Sequence, residues 1–139
     1  MEIADGVRCD EYLRARGAPG VWAIGDAARW RHPRTGTEMR LEHWTSAREQ
    51  ASLVGTAIAT RTERACDLVP YVWSVQHGVH LQQVGETTAG IDVTTRELEG
   101  GGAIYEHSRD GALVGASGFD AQSEILAVRR ELIRAARRP

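Results

Sequence analysis

The sequence contains no lysine, so all 17 of its basic residues are arginine, and 19 acidic residues leave a net charge of −2. A protein that binds nucleic acid needs a surplus of cationic side chains on one face, because it must neutralise phosphate groups. The charge balance therefore argues against a nucleic-acid partner.

Long apolar runs are also missing. No stretch approaches the roughly 18 apolar residues that cross a bilayer as a helix. The first residues, Met1 to Gly6, have neither the basic flank nor the apolar core of a secretory signal. With 139 residues, 42% of them apolar, the chain can still bury a hydrophobic core. We therefore expect a cytoplasmic globular protein with no membrane partner.

Cysteine is scarce. Cys9 and Cys66 lie far apart in the sequence, and no Cys-x-x-Cys occurs, which excludes a redox dithiol and a cysteine half-site for zinc. His77 and His80 have a spacing that suggests metal binding, but on a strand their side chains face opposite sides. We therefore expect no metal site, and any redox chemistry has to come from a bound cofactor.

The first half of the chain begins with two predicted strands and a loop. Val7–Cys9 is short and β-prone. The turn signal Ala18-Pro-Gly20 precedes the apolar run Val21–Ile24, which we predict to be a second strand that ends at Gly25-Asp26. The polar stretch 29–40 contains a proline and a glycine, so we predict a surface loop there.

A helix is predicted next, with Thr45 as its N-cap. Apolar residues recur at helical spacing and define one predicted buried face: Ala47, Ala51, Val54 and Ile58. The polar run Arg61–Arg64 ends this periodicity after about Thr60, so we predict a linker there and a domain boundary near Asp67.

The second half predicts an antiparallel sheet from Tyr71 to Ser117, because apolar and polar residues alternate there. Two hairpin signals support it, Glu99-Gly-Gly-Gly102 and the dipeptide Asp110-Gly111. Asp120 is the predicted N-cap of a final helix. Its predicted apolar face consists of Ala121, Ile125, Val128, Leu132 and Ala135. The fold class is therefore α+β.

Asp26 is the first candidate site residue. A carboxylate directly after an apolar strand is fixed in position, and the preceding Gly25 lets a ligand approach the backbone closely. Asp26 can then accept hydrogen bonds from a polyol. The alternative is that Asp26 only caps the turn that follows the strand.

The segment Glu42-His-Trp-Thr-Ser46 is the second candidate, because Trp44 directly precedes the predicted helix start. Backbone amides at a helix N-terminus favour an electron-rich ring edge and stabilise negative charge. Alternatively, Trp44 is only the hydrophobic staple of the helix.

The third candidate lies at the start of the predicted sheet. Tyr71 and Trp73 share one face of a strand and can lie against a planar ring. The alternative is that both aromatic side chains belong to an ordinary hydrophobic core.

Taken in order, these segments resemble the FAD-dependent NAD(P)H:ferredoxin reductases of oxygenase systems, the putidaredoxin reductase and biphenyl dioxygenase reductase type within the pyridine nucleotide-disulfide oxidoreductase superfamily. Gly6–Ala15 and Pro19–Asp26 are similar to the end of the family's FAD domain, and Glu42–Gln50 is similar to the helix that follows. Tyr71–Gly85 is similar to the opening of the family's C-terminal domain.

This resemblance implies two domains, with residues 1–66 ending a glutathione-reductase-like FAD domain and residues 67–139 forming a small antiparallel sheet with a terminal helix. It implies that Asp26, with Gly25, binds the FAD ribityl chain, and that the amides of Glu42, His43 and Trp44 meet the flavin pyrimidine edge. Trp73 would lie beside the isoalloxazine. No side chain is implied as a catalytic acid or base, since hydride passes from NAD(P)H to the flavin and electrons leave singly to a [2Fe-2S] ferredoxin.

The chain departs from the family at three positions and also lacks one motif. Cys9 stands where the family usually has an aliphatic residue. Val75 and His77 stand where the family usually has an aspartate and an aromatic residue, so a polar contact near the flavin is lost or replaced. The sequence also has no Gly-x-Gly-x-x-Gly after a predicted strand, so it encodes neither the FAD pyrophosphate loop nor an NAD(P)H domain. We therefore expect a fragment, a truncated reading frame or half of a split protein that is inactive alone.

Two other hypotheses are compatible with the sequence. In the first, the part from Tyr71 to Pro139 is an independent α+β interaction module that binds a partner without a cofactor. In the second, the chain is a truncated remnant without function, whose exposed strands in the first half favour self-association.

Overall fold

The computed structural model describes residues 3–87 and 90–136. The chain divides into two compact units, Met1–Leu68 and Val69–Pro139, each with its own hydrophobic core. The predicted α+β class is confirmed, since helices and largely antiparallel sheets alternate along the chain. No helix in the described ranges is long and apolar enough to span a bilayer.

The first unit contains a small mixed sheet and one long helix. Its strands are β1 (Val7–Cys9), β2 (Ala28–Arg31) and β3 (Glu38–Met39), and its helix is α1 (Trp44–Thr60). β2 lies in the middle, parallel to β1 and antiparallel to β3. The prediction of a strand at Val7–Cys9 is confirmed.

The predicted second strand at Val21–Ile24 is wrong. Val21 and Ile24 are 45% and 39% exposed, and the segment makes only an isolated bridge through Trp22. The real strand, β2, lies in the stretch that we predicted to be a surface loop. Trp30 at its centre is fully buried, and its indole N–H donates to the Cys66 carbonyl at 3.1 Å.

Strand β2 was not predicted because its arginines give it the polar composition of a loop. Arg29 of β2 and Arg8 of β1 both donate to the carboxylate of Glu38 on β3, Arg8 Nε to Oε1 and Arg29 Nε to Oε2, each at 2.9 Å. These side chains cover the small sheet with paired charges, so its strands have the polar composition of a loop.

The charge pairs predict a specific acid sensitivity. Hydrogen bonds from Arg29, and then from Arg8, hold the pKa of Glu38 below its ordinary value. Stability that comes from a lowered carboxyl pKa is complete above the ordinary value, about 4.3, and is lost as pH falls through the lowered one. We therefore expect the melting temperature of the wild-type chain to decrease when the pH is lowered below about 4. In Glu38→Gln the decrease in melting temperature should be smaller.

Thermal melting between about pH 6 and about pH 2 measures this effect. The matched control is Glu63→Gln, which removes a carboxylate that contacts one arginine, Arg14, at 3.1 Å. If Glu38→Gln had the same acid dependence as the wild-type chain, the Glu38 pairs would not contribute to stability.

Helix α1 begins two residues earlier than predicted and buries a different face. Its N-cap is His43, so Thr45 lies inside the first turn and the N-cap prediction is wrong. The helix ends at Thr60 as predicted, and Arg61 terminates it in the left-handed conformation, with φ of 57°. Its fully buried residues are Ser46, Gln50 and Val54, whereas the predicted face members Ala51 and Ile58 are exposed.

The predicted linker Arg61–Arg64 is bound to the first unit. Glu63 pairs with Arg14, and shortly afterwards the backbone N–H of Cys66 donates to the Glu11 carbonyl at 2.7 Å. Cys66 is 2% exposed and belongs to the same core as Cys9. The chain therefore leaves the first unit only at Leu68.

Both cysteines should be chemically inert in the folded chain. Burial raises the pKa of Cys66 to about 12, and burial also raises the pKa of Cys9. Because the thiolate is the reactive form, we expect reaction with a disulfide reagent near pH 8 to be at least roughly a hundredfold slower than in the unfolded chain. The test is to count the thiols that react rapidly with the disulfide reagent in the presence and in the absence of denaturant. A fast thiol in the folded chain would contradict the buried placement.

The second unit is a five-stranded antiparallel sheet with one helix on it. Its strands are β4 (Tyr71–Gln76), β5 (Val79–Gly85), β6 (Asp92–Glu97), β7 (Ala103–Arg109) and β8 (Ala112–Phe119), and its helix is α2 (Gln122–Ala135). The spatial order is β4-β5-β8-β7-β6. The predicted antiparallel sheet and terminal helix are confirmed.

Two tight turns set the register of this sheet. Asp110-Gly111 joins β7 to β8 as predicted, and both residues have positive φ, 51° and 76°. His77-Gly78 joins β4 to β5 in the same way, with φ of 52° and 83°. Two consecutive positive φ values match the right-handed twist of the strands. This second turn was not predicted from the sequence.

The core of the second unit lies between α2 and one face of the sheet. Ile125, Val128 and Leu132 of α2 are buried against sheet residues such as Val84 and Ile104. Of the predicted helix face, Ala121, Ile125, Val128 and Leu132 are buried and Ala135 is exposed.

Asp120 does not cap the final helix, so that prediction is wrong. The N-cap is Ala121, and no side chain caps the helix. The carboxylate of Asp120 accepts the backbone N–H of His80 at 2.9 Å, and its own N–H donates to the His80 carbonyl at 2.9 Å. Asp120 therefore ties the end of β8 to β5.

Candidate functional site

Gly25 anchors a short turn against helix α1. Residues Gly25–Ala27 form one turn of 3₁₀ helix, and Gly25 is buried with φ of 63°. Its N–H donates to Gln50 Oε1 at 2.7 Å. A Cβ atom at this position would lie 3.1 Å from the Cβ of Ala47, so a larger residue would push the turn away from the helix. Glycine is therefore required by both conformation and space.

Asp26 follows in this turn and faces solvent. Its backbone carbonyl accepts a hydrogen bond from Arg40 Nη1 at 3.2 Å. The N-cap of the turn is Ile24 and uses no side chain, so the alternative that Asp26 caps the turn is wrong. Within residues 3–87 and 90–136, the Asp26 carboxylate has no hydrogen-bond partner. It is an exposed acceptor on a rigidly held turn.

His43 lies between this turn and the start of α1. Burial lowers its pKa, and the negative charge of Asp26 partly opposes that shift, so the two side chains are close enough to interact. The lowered pKa keeps the imidazole neutral near pH 7. Its Nδ1 atom is buried and has no partner among the described residues. Such an atom usually has a hydrogen-bond partner in a complete assembly.

Trp44 is the first residue of α1 and is 63% exposed, so the alternative that it is a buried hydrophobic staple is wrong. The guanidinium of Arg48, one turn later, lies 4.7 Å from the centre of its ring. Glu42 precedes His43 and forms an ion pair with Arg40. The first turn of α1 contains no acidic residue, so no side chain within that turn opposes the positive end of the helix dipole.

Sequence analysis missed the polar residues that support this arrangement. Gln50 is fully buried and holds Gly25, and Ser46 is 1% exposed one turn before it. Ser46 Oγ and Gln50 Nε2 also lack partners in the described part of the chain. The available signal was their spacing, since Ser46, Gln50 and Val54 recur every four residues on one helix face.

Trp73 lies in the second unit, on β4. It is 44% exposed, so the alternative that it is an ordinary core residue is wrong. Its ring stacks on Tyr71 with 5.7 Å between the ring centres and an angle of 26° between planes. The neighbouring Val75 is 54% exposed, and His77 forms the following tight turn, so these two departures from the family lie on the surface.

The predicted site residues thus fall into two groups. The first unit brings together Gly25, Asp26, Glu42, His43 and Trp44 at one turn and one helix start. Trp73 belongs to the second unit.

Comparison with known proteins gives consistent results. Residues 71–139 match the protein family described as Reductase C-terminal. The chain is 34% identical over 136 residues, 96% of its length, to the ferredoxin reductase component of a chlorobenzene dioxygenase from Cupriavidus sp. (strain PS12). It is 26% identical over 132 residues, 94% of its length, to the ferredoxin–NAD(+) reductase component of an anthranilate 1,2-dioxygenase system from Burkholderia cepacia.

A solved structure agrees with these relatives. The crystal structure of Fdr9 superposes on 96% of this chain with a TM-score of 0.84 and 30% identity, and the match covers 35% of Fdr9. The chain spans about a third of the curated relatives, 32% of each. Residues 71–139 therefore belong to the Reductase C-terminal family, and the whole chain matches the C-terminal portion of ferredoxin–NAD(+) reductases.

Proposed function

We propose that this chain is the C-terminal part of a cytoplasmic flavoprotein reductase that passes electrons from NAD(P)H through FAD to a [2Fe-2S] ferredoxin of an oxygenase system. In this proposal, residues 1–66 end the FAD-binding domain and residues 67–139 form the C-terminal domain. Because no Gly-x-Gly-x-x-Gly occurs in the sequence, the chain needs a separate nucleotide-binding portion and is inactive alone.

The observation that carries this proposal is the pair Asp26 and His43. An exposed carboxylate without a partner lies beside a buried imidazole nitrogen that also lacks one, within the described part of the chain. A buried 2.7 Å hydrogen bond from Gly25 to Gln50 holds the turn that carries Asp26 against helix α1, and His43 is the N-cap residue of the same helix. A buried polar atom without a partner, such as His43 Nδ1, costs stability unless a ligand or water satisfies it, so it is typical of a ligand site. The exposed Asp26 carboxylate is accessible to the same ligand.

These residues fit a flavin. The Asp26 carboxylate accepts hydrogen bonds, as the hydroxyls of the ribityl chain require, and the positive end of α1 at Glu42, His43 and Trp44 suits the electron-rich pyrimidine edge. Trp73 presents an exposed aromatic face to a planar ring. FAD supplies the hydride and single-electron chemistry, so these side chains only bind, orient and adjust charge.

A fusion protein tests the proposal. The N-terminal two thirds or so of the Cupriavidus reductase component is joined to this chain in place of its own matching segment, which is about a third of that protein. We expect the purified fusion to retain FAD and to reduce a dye with NADH, and this chain alone to be colourless. Failure of the soluble fusion to take up flavin, or stoichiometric FAD in the chain alone, would overturn the proposal.

One structural feature favours a second candidate, an independent interaction module. The second unit has its own core, built by α2 and the five-stranded sheet. Size-exclusion chromatography and thermal melting of residues 67–139 test this candidate. A stable, monodisperse domain permits it, and an aggregated or molten one removes it.

A further inference from the structure

Tyr71 and Trp73 form an aromatic pair on β4 that is contacted by residues of β5 and α2. Tyr71 and Trp73 are two residues apart on one strand, so both side chains leave the same face of the sheet. Their ring geometry, 5.7 Å and 26°, is that of an offset stack. Tyr71 is half-buried at the edge of the core, whereas Trp73 extends beyond it and is 44% exposed.

Gln82 fixes the inner ring of this pair. It lies directly opposite Trp73 on β5, and its side chain reaches diagonally to Tyr71, where Nε2 donates to the phenol oxygen at 2.9 Å. Gln82 is only 6% exposed, although glutamine side chains are mostly solvated. The next strand presents Gly118 beside Gln82, so no side chain from that strand competes for the space.

Helix α2 adds a third contact. The guanidinium of Arg129 lies 5.1 Å from the centre of the Tyr71 ring, in cation–π range. Residues of β4, β5 and α2 therefore converge on Tyr71, and Tyr71 in turn stacks on Trp73. The exposed indole is thus linked to β5 and α2 through the ring of Tyr71.

We infer that Tyr71 and Gln82 are positioning residues for Trp73, which set the plane of its indole ring before any cofactor binds. The value of this arrangement for electron transfer rests on the proposed function, in which Trp73 lies beside the flavin. An aromatic ring that is already oriented loses less conformational entropy when a planar ligand is placed against it.

Nuclear magnetic resonance of the ¹⁵N-labelled full chain tests this inference without a cofactor. The chain has four tryptophans, so its indole N–H region is simple, and Trp73→Phe identifies the Trp73 signal by its loss. In the wild-type chain we expect a rigid indole, with an order parameter of about 0.85. Tyr71→Phe and Gln82→Leu should shift this signal and lower the order parameter toward about 0.6.

Two comparisons separate positioning from general damage. Gln83→Leu is the matched control, because Gln83 is the next residue on β5, faces the other side of the sheet and bonds Thr87 instead. It should leave the Trp73 signal unchanged. The double variant Tyr71→Phe/Gln82→Leu should move the signal no further than the larger single change, because both remove the same hydrogen bond.

If Tyr71→Phe and Gln82→Leu leave the indole as rigid as in the wild-type chain, with core methyl signals intact, the inference is overturned. Tyr71→Phe keeps the ring and the stack, so it remains informative if Gln82→Leu does not fold. The same variants in the fusion protein report on the proposed function. An indole that responds while the visible circular dichroism of the flavin does not would support the positioning role and contradict the placement of Trp73 beside FAD.

Discussion

Replacing Asp26 by alanine in the fusion protein should release most of its FAD. The Asp26 carboxylate is exposed, has no hydrogen-bond partner among the described residues and follows a glycine that is locked to Gln50. A hydrogen bond to a charged acceptor contributes about 2 kcal/mol, so FAD should bind roughly thirtyfold more weakly. Flavin absorbance after gel filtration and a fluorescence titration of the apoprotein with FAD measure the loss.

Two further variants define the cause. Asp26→Asn keeps an acceptor oxygen but no charge, so its affinity should lie between those of the wild-type and alanine proteins. Asp92→Ala removes an exposed carboxylate on β6 of the second unit and should leave FAD binding unchanged. Full flavin retention in Asp26→Ala would show that this carboxylate is not a flavin contact.

Replacing Gly85 by alanine should prevent the second unit from folding normally. Gly85 has a φ of 71°, and a Cβ there would collide with the Val114 carbonyl oxygen and lie 2.8 Å from the Cα of Gly115. Both atoms belong to the backbone of β8, so neither can move alone. Gly85 also donates its N–H to the Pro70 carbonyl at 2.9 Å. We expect a loss of at least about 3 kcal/mol in the free energy of unfolding.

Gly78→Ala is the matched control. Gly78 has a similar φ of 83°, but nothing lies within 4 Å of a Cβ placed there. Its cost should therefore be the conformational one alone, about 1 kcal/mol, or about 5 °C in melting temperature for a domain of this size. Denaturant unfolding measures the free energy of unfolding of both variants. Gly78→Ala reports backbone strain alone, and Gly85→Ala reports strain together with the steric clash. Equal destabilisation would show that β8 moves aside and that the close approach of the strands is unimportant.

Sequence analysis succeeded in the second unit because its signals are local. Alternating residues, the dipeptide Asp110-Gly111 and the apolar face of α2 each act within a few neighbouring positions, and the structure follows them. The error at Asp120 has a distant cause. Its carboxylate bonds to His80, which is forty positions away, so the bond cannot be read from the nearby sequence.

The first unit was predicted less well because its stability depends on distant partners. On strand β2 the buried Trp30 lies between two arginines, and only the folded structure shows that Arg29 is paired with Glu38 and that Arg31 donates to the Gly36 carbonyl. The burial of Gln50 also depends on a partner that is distant in the sequence. Gln50 occupies a buried helix face because a backbone N–H at Gly25 needs an acceptor.

The residues of the candidate site were predicted from the sequence and the family resemblance, and the structure shows which of them are exposed. Asp26, Trp44 and Trp73 were each compatible with a structural role. The structure removes the staple and core alternatives because Trp44 and Trp73 are exposed, and it removes the cap alternative for Asp26 because the N-cap of the turn is Ile24. The supporting residues Gln50 and Gln82 were missed, because each acts through a hydrogen bond to another element.

The most direct test of the account is the NADH-dependent reduction of a [2Fe-2S] ferredoxin by the fusion protein, followed in the visible spectrum. The account predicts steady ferredoxin reduction that requires FAD and is lost when this chain is removed from the fusion. A soluble fusion that binds FAD and oxidises NADH, yet transfers no electrons to the ferredoxin, would contradict the proposed role of this chain.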